Sequence, residues 1–264
     1  MWRDPYRQAY PAPVLRETAA AVEDLGYPAL WFPETTGREA MAQAALLLSL
    51  TRRTVVATGA AGISARDAVT TEAAQRTLAE AFPGRFLLGL GVGHPALVTD
   101  VRGHRFGSPV ATMRAYLDAM DAAPFGPAGP RVLAALGPKM LKLAAERAAG
   151  THPLGMPVAH TRHARGLLGL RALLAVTQLA VLDPSRPHAA AALPNPLTPL
   201  RDLGFDDPES LDEGLVATGG AEDVARHVGE HLEAGADHVS LHVLTATPDR
   251  PPLRQWEDLA ALLL

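Results

Sequence analysis

The chain of 264 residues contains no cysteine and has no strong excess of charge of either sign. The lack of cysteine excludes disulfides, thiolate nucleophiles and thiolate-bound metals, and it suits the reducing cytoplasm. The formal net charge of -4 at pH 7 argues against a nucleic-acid partner, because surfaces that bind nucleic acid are strongly basic. The G-x-S-x-G, P-loop and H-E-x-x-H motifs are absent as well, so hydrolase and kinase functions lose their usual support.

The sequence also lacks an apolar run long enough to cross a bilayer, and its first residues do not resemble a signal peptide. These absences predict a cytoplasmic protein with no membrane partner. Hydrophobic residues make up 48% of the chain and charged residues 20%, which is the composition of a globular protein with one large core. We therefore expect a single domain over residues 1–264, a length at which βα barrels commonly occur.

Short apolar segments alternate with segments of helical periodicity, which favours an α/β fold with a parallel sheet. Gly26 provides a stop signal after the first helix, Asp67 a cap for the third, and Pro138 a first-turn proline. The proline-rich segment 183–208 is predicted to be mostly irregular, with room for a short helix over 187–193. The predicted strands cover residues 29–32, 54–58, 85–91, 131–135, 178–182 and 238–244, and the predicted helices cover 13–25, 38–50, 67–82, 110–120, 138–149, 221–234 and the C-terminus.

The most informative segment is 85–94, where an apolar run breaks into alternating glycines. A buried parallel strand is continuously apolar, and in a βα barrel its C-terminal end opens onto the active-site face. Glycines at that end let the backbone approach a ligand closely. A turn that merely needs positive φ is the alternative interpretation of this segment. The spacing does not match G-x-G-x-x-G, so a dinucleotide-binding fold is not predicted.

Five segments follow one another in a recognisable order: 25–34, 56–59, 74–94, 136–140 and 234–239. Together they resemble the luciferase-like monooxygenase superfamily, and within it the oxidoreductases that depend on the deazaflavin coenzyme F420. The resemblance implies a (β/α)8 TIM barrel with the coenzyme ring at the C-terminal ends of the strands. Members begin with a complete first strand, but only Met1 and Trp2 precede Arg3-Asp4-Pro5 here, so the first strand looks truncated.

Two residues are catalytic candidates by this resemblance. Glu34 falls at a strand end, where the family places an acidic or polar residue near the ring. His94 falls where related deazaflavin enzymes carry a proton-donating group, and an imidazole that titrates near neutrality suits a general acid. A non-catalytic loop histidine is the alternative for His94.

The resemblance also implies three coenzyme-binding segments. Residues 58–60 correspond to a non-proline cis peptide that lies against one ring face. Residues 91–93 correspond to the loop after the glycine-rich strand, and residues 136–139 correspond to the loop that holds the coenzyme phosphate. A helix start favours an anion because its first N–H groups are free and its dipole is positive at that end. The alternative interpretation of 136–139 is an ordinary helix start with a solvated lysine. The residues are Thr58, Gly59 and Ala60; Gly91, Val92 and Gly93; and Leu136, Gly137, Pro138 and Lys139.

The remaining histidines support weaker predictions. His160 and His163 lie three residues apart and are predicted to be surface residues, and no metal site is predicted. His104 is a second-rank candidate for a position above the site. His238 and His242 share one face of a strand, but the sequence does not determine which face points into the barrel.

These features predict an oxidoreductase that moves a hydride between C5 of F420 and a small organic substrate. An FMN-dependent monooxygenase with the same site is the first alternative. A barrel that has lost catalysis and serves as a binding protein is the second. Relatives in this family often dimerise, so the sequence allows a homodimer. It does not identify the substrate.

Overall fold

The computed structural model describes residues 10–34, 36–182, 215–245 and 250–264. Helices and strands alternate along most of this part of the chain. The strands are β1 (Ala29–Phe32), β2 (Val55–Thr58), β3 (Ala61–Gly62), β4 (Phe86–Gly91), β5 (Arg131–Leu133), β6 (Gly150–Thr151), β7 (Leu173–Val181), β8 (Val216–Thr218) and β9 (His238–Val243). The helices are α1 (Ala12–Asp24), α2 (Ala40–Leu50), α3 (Ala68–Ala81), a π-helical segment (Leu97–Val101), α4 (Pro109–Asp121), α5 (Pro138–Arg147), α6 (Val158–Leu168), α7 (Ala221–Glu233) and α8 (Leu253–Leu263).

The strands form a nearly closed parallel barrel, which confirms the predicted TIM-barrel architecture. Seven strands follow one another around the ring in the order β1, β2, β4, β5, β6, β7 and β9, while β3 and β8 are short pieces paired with β4 and β7. Between β1 and β9, no strand pairing is formed by the part of the chain that the structure describes. There the Trp31 indole N–H donates to His238 Nε2 at 3.1 Å. The predicted truncation of the first strand concerns residues 1–9, outside the described residues.

β2 and β3 run along β4 as one strand that contains an extra residue. Four residue steps separate Ala57 from Ala61, whereas three separate their β4 partners, Leu87 and Leu90. An extra residue on one strand of a pair is a β-bulge, which interrupts the ladder and bends the strand. The bulge therefore lies where the strand reaches the C-terminal end of the barrel.

A side chain replaces the missing ladder bonds at this bulge. The Thr58 hydroxyl accepts from the Gly89 N–H and donates to the Gly89 carbonyl, both at 2.8 Å. A Cβ atom at Gly89 would lie 1.9 Å from the Thr58 carbonyl oxygen. Only glycine fits this close approach, which explains one glycine of the alternating pattern.

Most predicted elements are found within a few residues of their predicted bounds, and Asp67 caps α3 by accepting from the Thr70 N–H at 2.8 Å. β7 differs most, because it begins at Leu173 rather than at 178. No helix in the described ranges is both long and apolar enough to cross a membrane. The segment 183–208 and its short helix over 187–193 lie outside the described residues.

Candidate active site

The predicted site segments follow the C-terminal ends of four neighbouring strands. Glu34 comes just after β1, 58–60 ends β2, 91–93 ends β4, and 136–139 follows β5. Because neighbouring parallel strands end at the same face of a barrel, these segments share one rim. Two backbone bonds join them directly, from the Glu34 N–H to the Ala60 carbonyl at 3.2 Å and from the Ile63 N–H to the Gly91 carbonyl at 2.9 Å.

The peptide bond between Gly59 and Ala60 is cis, which confirms the cis peptide predicted at this position. Both residues are half-buried, so this peptide reaches the surface at the barrel mouth. A Cβ atom at Gly59 would lie 2.6 Å from His152 Nε2 and 3.4 Å from the Trp31 ring. The glycine therefore allows the peptide to lie directly on these two rings. Its contact with a coenzyme stays a prediction.

Glu34 anchors the rim through its carboxylate. Oε2 accepts from the Gly62 N–H at 2.7 Å, and Oε1 accepts from the Ala40 N–H at 3.3 Å and pairs with Arg66. The Glu34 and Arg66 side chains are only 5% and 7% exposed. Since both carboxylate oxygens already have donors, the geometry favours a positioning role for Glu34. Its predicted contact with the ring stays a prediction.

His94 is exposed at the barrel mouth, directly after Gly93, whose φ of +77° favours glycine. The His94 carbonyl accepts from the Val98 N–H at 3.0 Å, which fixes the chain just before the π-helical segment. The location agrees with the predicted one. Its role in proton transfer stays a prediction.

The predicted phosphate loop begins α5 as expected, with Gly137 at the N-cap and Pro138 as the first helical residue. Lys139 and Lys142 are exposed, and neither forms an ion pair with any residue that the structure describes. The first turn of α5 thus offers N–H groups and a lysine to solvent. These are the groups that a phosphate needs.

His160 was predicted to lie on the surface, and this prediction is wrong, because its side chain is fully buried where α6 packs against α5. Its Nε2–H donates to the Leu136 carbonyl at 2.8 Å, since a carbonyl can only accept. Burial lowers the pKa of His160, which keeps the ring neutral. His160 therefore holds the first residue of the predicted phosphate loop, whereas His163 is exposed as expected.

The barrel interior below the rim contains a polar cluster that sequence reasoning missed. The His152 ring stacks on Trp31 with 3.9 Å between ring centroids. Its Nδ1–H donates to the Ala175 carbonyl at 2.8 Å, and its Nε2 accepts from the Thr177 hydroxyl at 3.2 Å. Thr177 in turn contacts the Ser240 hydroxyl at 2.7 Å. Burial lowers the pKa of His152 to about 4, so this histidine is neutral at pH 7.

The same cluster shows which face of β9 points inward. His238 Nε2 accepts from the Trp31 indole, and burial lowers the pKa of His238. Because side chains alternate along a strand, Ser240 and His242 share the inward face with His238. The opposite face carries Val243, which packs in a cluster with residues of α7 and α8.

A cavity of about 480 Å³ opens beside the rim, between the loop after β3 and the segment after β4. His104, predicted to lie above the site, is among its lining residues. In the described residues, no group of three or more histidine, aspartate or glutamate side chains could hold a metal ion. Its lining includes Ile63, Arg66, Val92, Arg105, Phe106 and Tyr116.

Comparison with known proteins agrees with this architecture. A protein of Mycobacterium tuberculosis, provisionally described as a coenzyme F420-dependent oxidoreductase, is 35% identical over 113 residues. The match covers 43% of this chain and 33% of the relative, so the chain matches about a third of that protein's length.

Solved structures with the same fold cover nearly the whole chain. An F420-dependent secondary alcohol dehydrogenase has a TM-score of 0.76 at 15% identity, over 96% of this chain and 94% of its own. The F420-dependent tetrahydromethanopterin reductase of Methanopyrus kandleri has a TM-score of 0.75 at 16% identity, over 98% and 96%. The FMN-bound oxygenating constituent of 3,6-diketocamphane monooxygenase from Pseudomonas putida has a TM-score of 0.72 at 14% identity, over 99% and 97%.

The sequence pattern of luciferase-like monooxygenases matches residues 3–175, which is more than half of the chain. This range includes the cis peptide, the glycine-rich strand β4 and the start of α5. The chain therefore belongs to the luciferase-like monooxygenase family of oxidoreductases.

Proposed function

We propose that the chain is an oxidoreductase that transfers a hydride between C5 of coenzyme F420 and a small organic substrate. The observation that carries this proposal is the convergence of Glu34, the Gly59-Ala60 peptide and Gly91 at one rim beside a cavity. F420 is preferred to FMN because the curated relative and two of the three structures above are described as F420-dependent.

The part of the rim where β2, β4 and β5 end suits a flat ring because Ala60, Gly91 and Ala134 meet there. A Cβ atom at Gly91 would lie 3.3 Å from the Ala60 methyl and 3.7 Å from the Ala134 methyl. Backbone and methyl groups thus meet at three strand ends, with no bulky side chain between them. A planar tricyclic ring can lie against such a surface, whereas bulky side chains would exclude it.

The coenzyme, when bound, supplies the hydride chemistry. The chain supplies position and a proton. Glu34 holds the rim together, and the half-buried Gly59, Ala60, Val92 and Gly93 contact the ring, while the buried Thr58 and Gly91 support it from below. Leu136, Gly137, Pro138 and Lys139 hold the phosphate. His94 holds or accepts a proton at its imidazole, at the open end of the barrel.

An FMN-dependent monooxygenase is the second candidate function. It is favoured by the FMN-bound structure, which has the same fold over 99% of this chain. The small-residue rim would accommodate either ring. The two functions therefore differ in the coenzyme that binds, and a binding measurement separates them.

The test is a titration of the protein with F420 and, separately, with FMN, followed by quenching of coenzyme fluorescence. We expect saturable quenching of F420 and little quenching of FMN. Tight FMN binding without F420 binding would establish the second candidate instead. Failure to bind either coenzyme would overturn both and leave a barrel that binds other ligands without catalysis.

Two lysines on α5 provide a matched pair for the phosphate assignment. Lys139→Gln should weaken F420 binding about tenfold, because a charge-assisted hydrogen bond to phosphate is lost. Lys142→Gln removes an equally exposed positive charge one turn further along the same helix and should change affinity less than twofold. Equal effects of the two substitutions would contradict the assignment.

A further inference from the structure

The cavity beside the rim has one wall in common with the proposed ring site. Val92 belongs to the proposed coenzyme loop and also lines the cavity. Ile63, which donates its N–H to the Gly91 carbonyl, lines it as well. A molecule in this cavity would therefore lie next to whatever rests on the rim.

One wall of this cavity contains a buried arginine with an unused donor. Arg66 Nη2 binds the Glu34 and Glu39 carboxylates, but Nη1 is buried and has no hydrogen-bond partner among the residues described. The Arg66 side chain is 93% buried, since only 7% of it is exposed. Because Nη1 is closed off from solvent, Arg66 supports the cavity wall through its two carboxylate partners and does not itself present a donor to the cavity.

The facing loop adds positive charge. Arg105 lines the cavity, is exposed, and has no carboxylate within 4.0 Å in the described part of the chain. The Asp67 carboxylate at the cavity edge is already used, since it accepts from the Thr70 N–H and hydroxyl at 2.8 and 2.6 Å. Arg105 is thus the lining cation that has no carboxylate partner in the described ranges, whereas Arg66 is paired with Glu34 and Glu39.

The rest of the lining is mainly apolar or aromatic. Ile63, Val92 and Val98 are joined by Phe106, and Tyr116 presents its ring while its hydroxyl contacts Thr71 and the Arg66 carbonyl. Such a surface suits a compact hydrocarbon or aromatic body rather than a sugar, which needs many hydrogen-bonding partners.

We propose that this cavity is the substrate subsite and that it selects a small apolar organic acid. The carboxylate binds Arg105, and the apolar body lies on Ile63, Val92 and Phe106. This inference rests on the proposed function, because it treats the molecule beside the rim as the substrate of the bound coenzyme.

The topology separates this subsite from the proposed phosphate loop. The cavity lies between the segments after β3 and β4, whereas 136–139 follows β5, on the other side of β4. A ring resting on Gly91 would therefore have its phosphate on one side and the carboxylic acid on the other. The two anions do not compete for the same cations.

Isothermal titration calorimetry with benzoate and with its neutral isostere benzamide tests the proposal on the full chain. We expect benzoate to bind at least tenfold more tightly than benzamide, because the hydrogen bonds from arginine to a charged carboxylate are stronger than those to a neutral amide oxygen. Arg105→Gln should reduce this preference to about twofold or less. Arg114→Gln changes an exposed arginine of α4 outside the cavity and should leave the preference unchanged.

Equal affinities of the unsubstituted protein for benzoate and benzamide would overturn the proposal, as would identical behaviour of the two arginine variants. The titration is repeated with saturating F420. Benzoate binding should persist, and mutual exclusion would overturn the proposal by showing that the cavity holds part of the coenzyme. Benzoate binding without any F420 binding would instead defeat the proposed function and leave the acid-binding cavity intact.

Discussion

Gly89 shows how one residue can be fixed by the backbone of a neighbouring strand. The bulge in β2 and β3 brings the Thr58 carbonyl so close that any Cβ atom at Gly89 would overlap it. The Thr58 hydroxyl then binds both backbone groups of Gly89. At the scale of single residues, this pair fixes the distance between β2 and β4 where the rim begins.

Gly89→Ala should therefore destabilise the protein by about 3 kcal/mol or more, because the overlap is with backbone that cannot move aside. The melting temperature should fall by roughly 6–12 °C in a chain of this size. Gly166→Ala is the matched control, since Gly166 lies within α6 and a Cβ atom there meets nothing within 4 Å. It should stabilise the helix by about 0.5–1 kcal/mol, and destabilisation by both substitutions would contradict this account.

At the scale of elements, β1 and β9 differ from the other strands of the barrel. Both are largely half-buried, whereas β5 and most of β7 are fully buried. The hydrogen bond from the Trp31 indole to His238 links these two strands through side chains. This contact takes the place of backbone pairing among the described residues.

Trp31→Phe removes that link, so we expect faster amide hydrogen exchange in the peptides that contain β1 and β9. The cost in unfolding free energy should be about 1 kcal/mol, the value of a typical hydrogen bond. Trp256→Phe changes a tryptophan of α8 that packs on another cluster and should leave exchange in β1 unchanged. Unchanged exchange in β9 of the Trp31 variant would show that the link does not hold the two strands.

The sequence predicted elements well where local signals were strong, and less well where tertiary contacts decide. Asp67 and Pro138 mark helix starts by their own chemistry, so α3 and α5 were found. The first half of β7 was missed because a short apolar run that follows a helical segment is ambiguous between strand and helix. His152 follows a strand of only two residues, which has no periodicity from which a face can be predicted.

The residues of the candidate site also divide into those that the sequence indicates and those that only the folded chain shows. Glu34, Gly59 and Gly91 could be placed through the family resemblance, whose motifs locate them at strand ends. Arg66 and His160 were missed as site residues, because their partners Glu34 and Leu136 come from distant parts of the chain. No local pattern reports such contacts, so only the folded chain shows that these residues support the rim.

At the scale of the whole molecule, two buried neutral histidines connect stability to pH. Burial lowers the pKa of His152 and of His231 to about 4. His231 donates to the Gln178 side-chain oxygen at 2.7 Å and accepts from Thr161 at 2.8 Å, so its neutral form is the one that fits. Protonation of either ring would break such contacts inside the fold.

The free energy of unfolding should consequently decrease as the pH falls from about 6.5 towards 4. In that window the unfolded chain binds more protons than the folded chain, which favours unfolding. Each histidine should cost about 2 kcal/mol at pH 5 relative to pH 7. Urea unfolding at the two pH values measures the difference, and His231→Gln should remove the contribution of that one ring, about 2 kcal/mol. Equal stability at both values would show that these rings are not neutral in the fold.

The extra residue between Ala57 and Ala61 determines which side chains of the following segment point inward and which point outward. Since successive side chains of a strand point to opposite faces, deletion of one residue would exchange inward and outward positions from Ala61 onwards. The segment with Ile63 and Arg66 would then present different groups to the barrel mouth. The number of residues between Ala57 and Ala61 is thus a constraint of its own, in addition to the contacts that require threonine at 58 and glycine at 59.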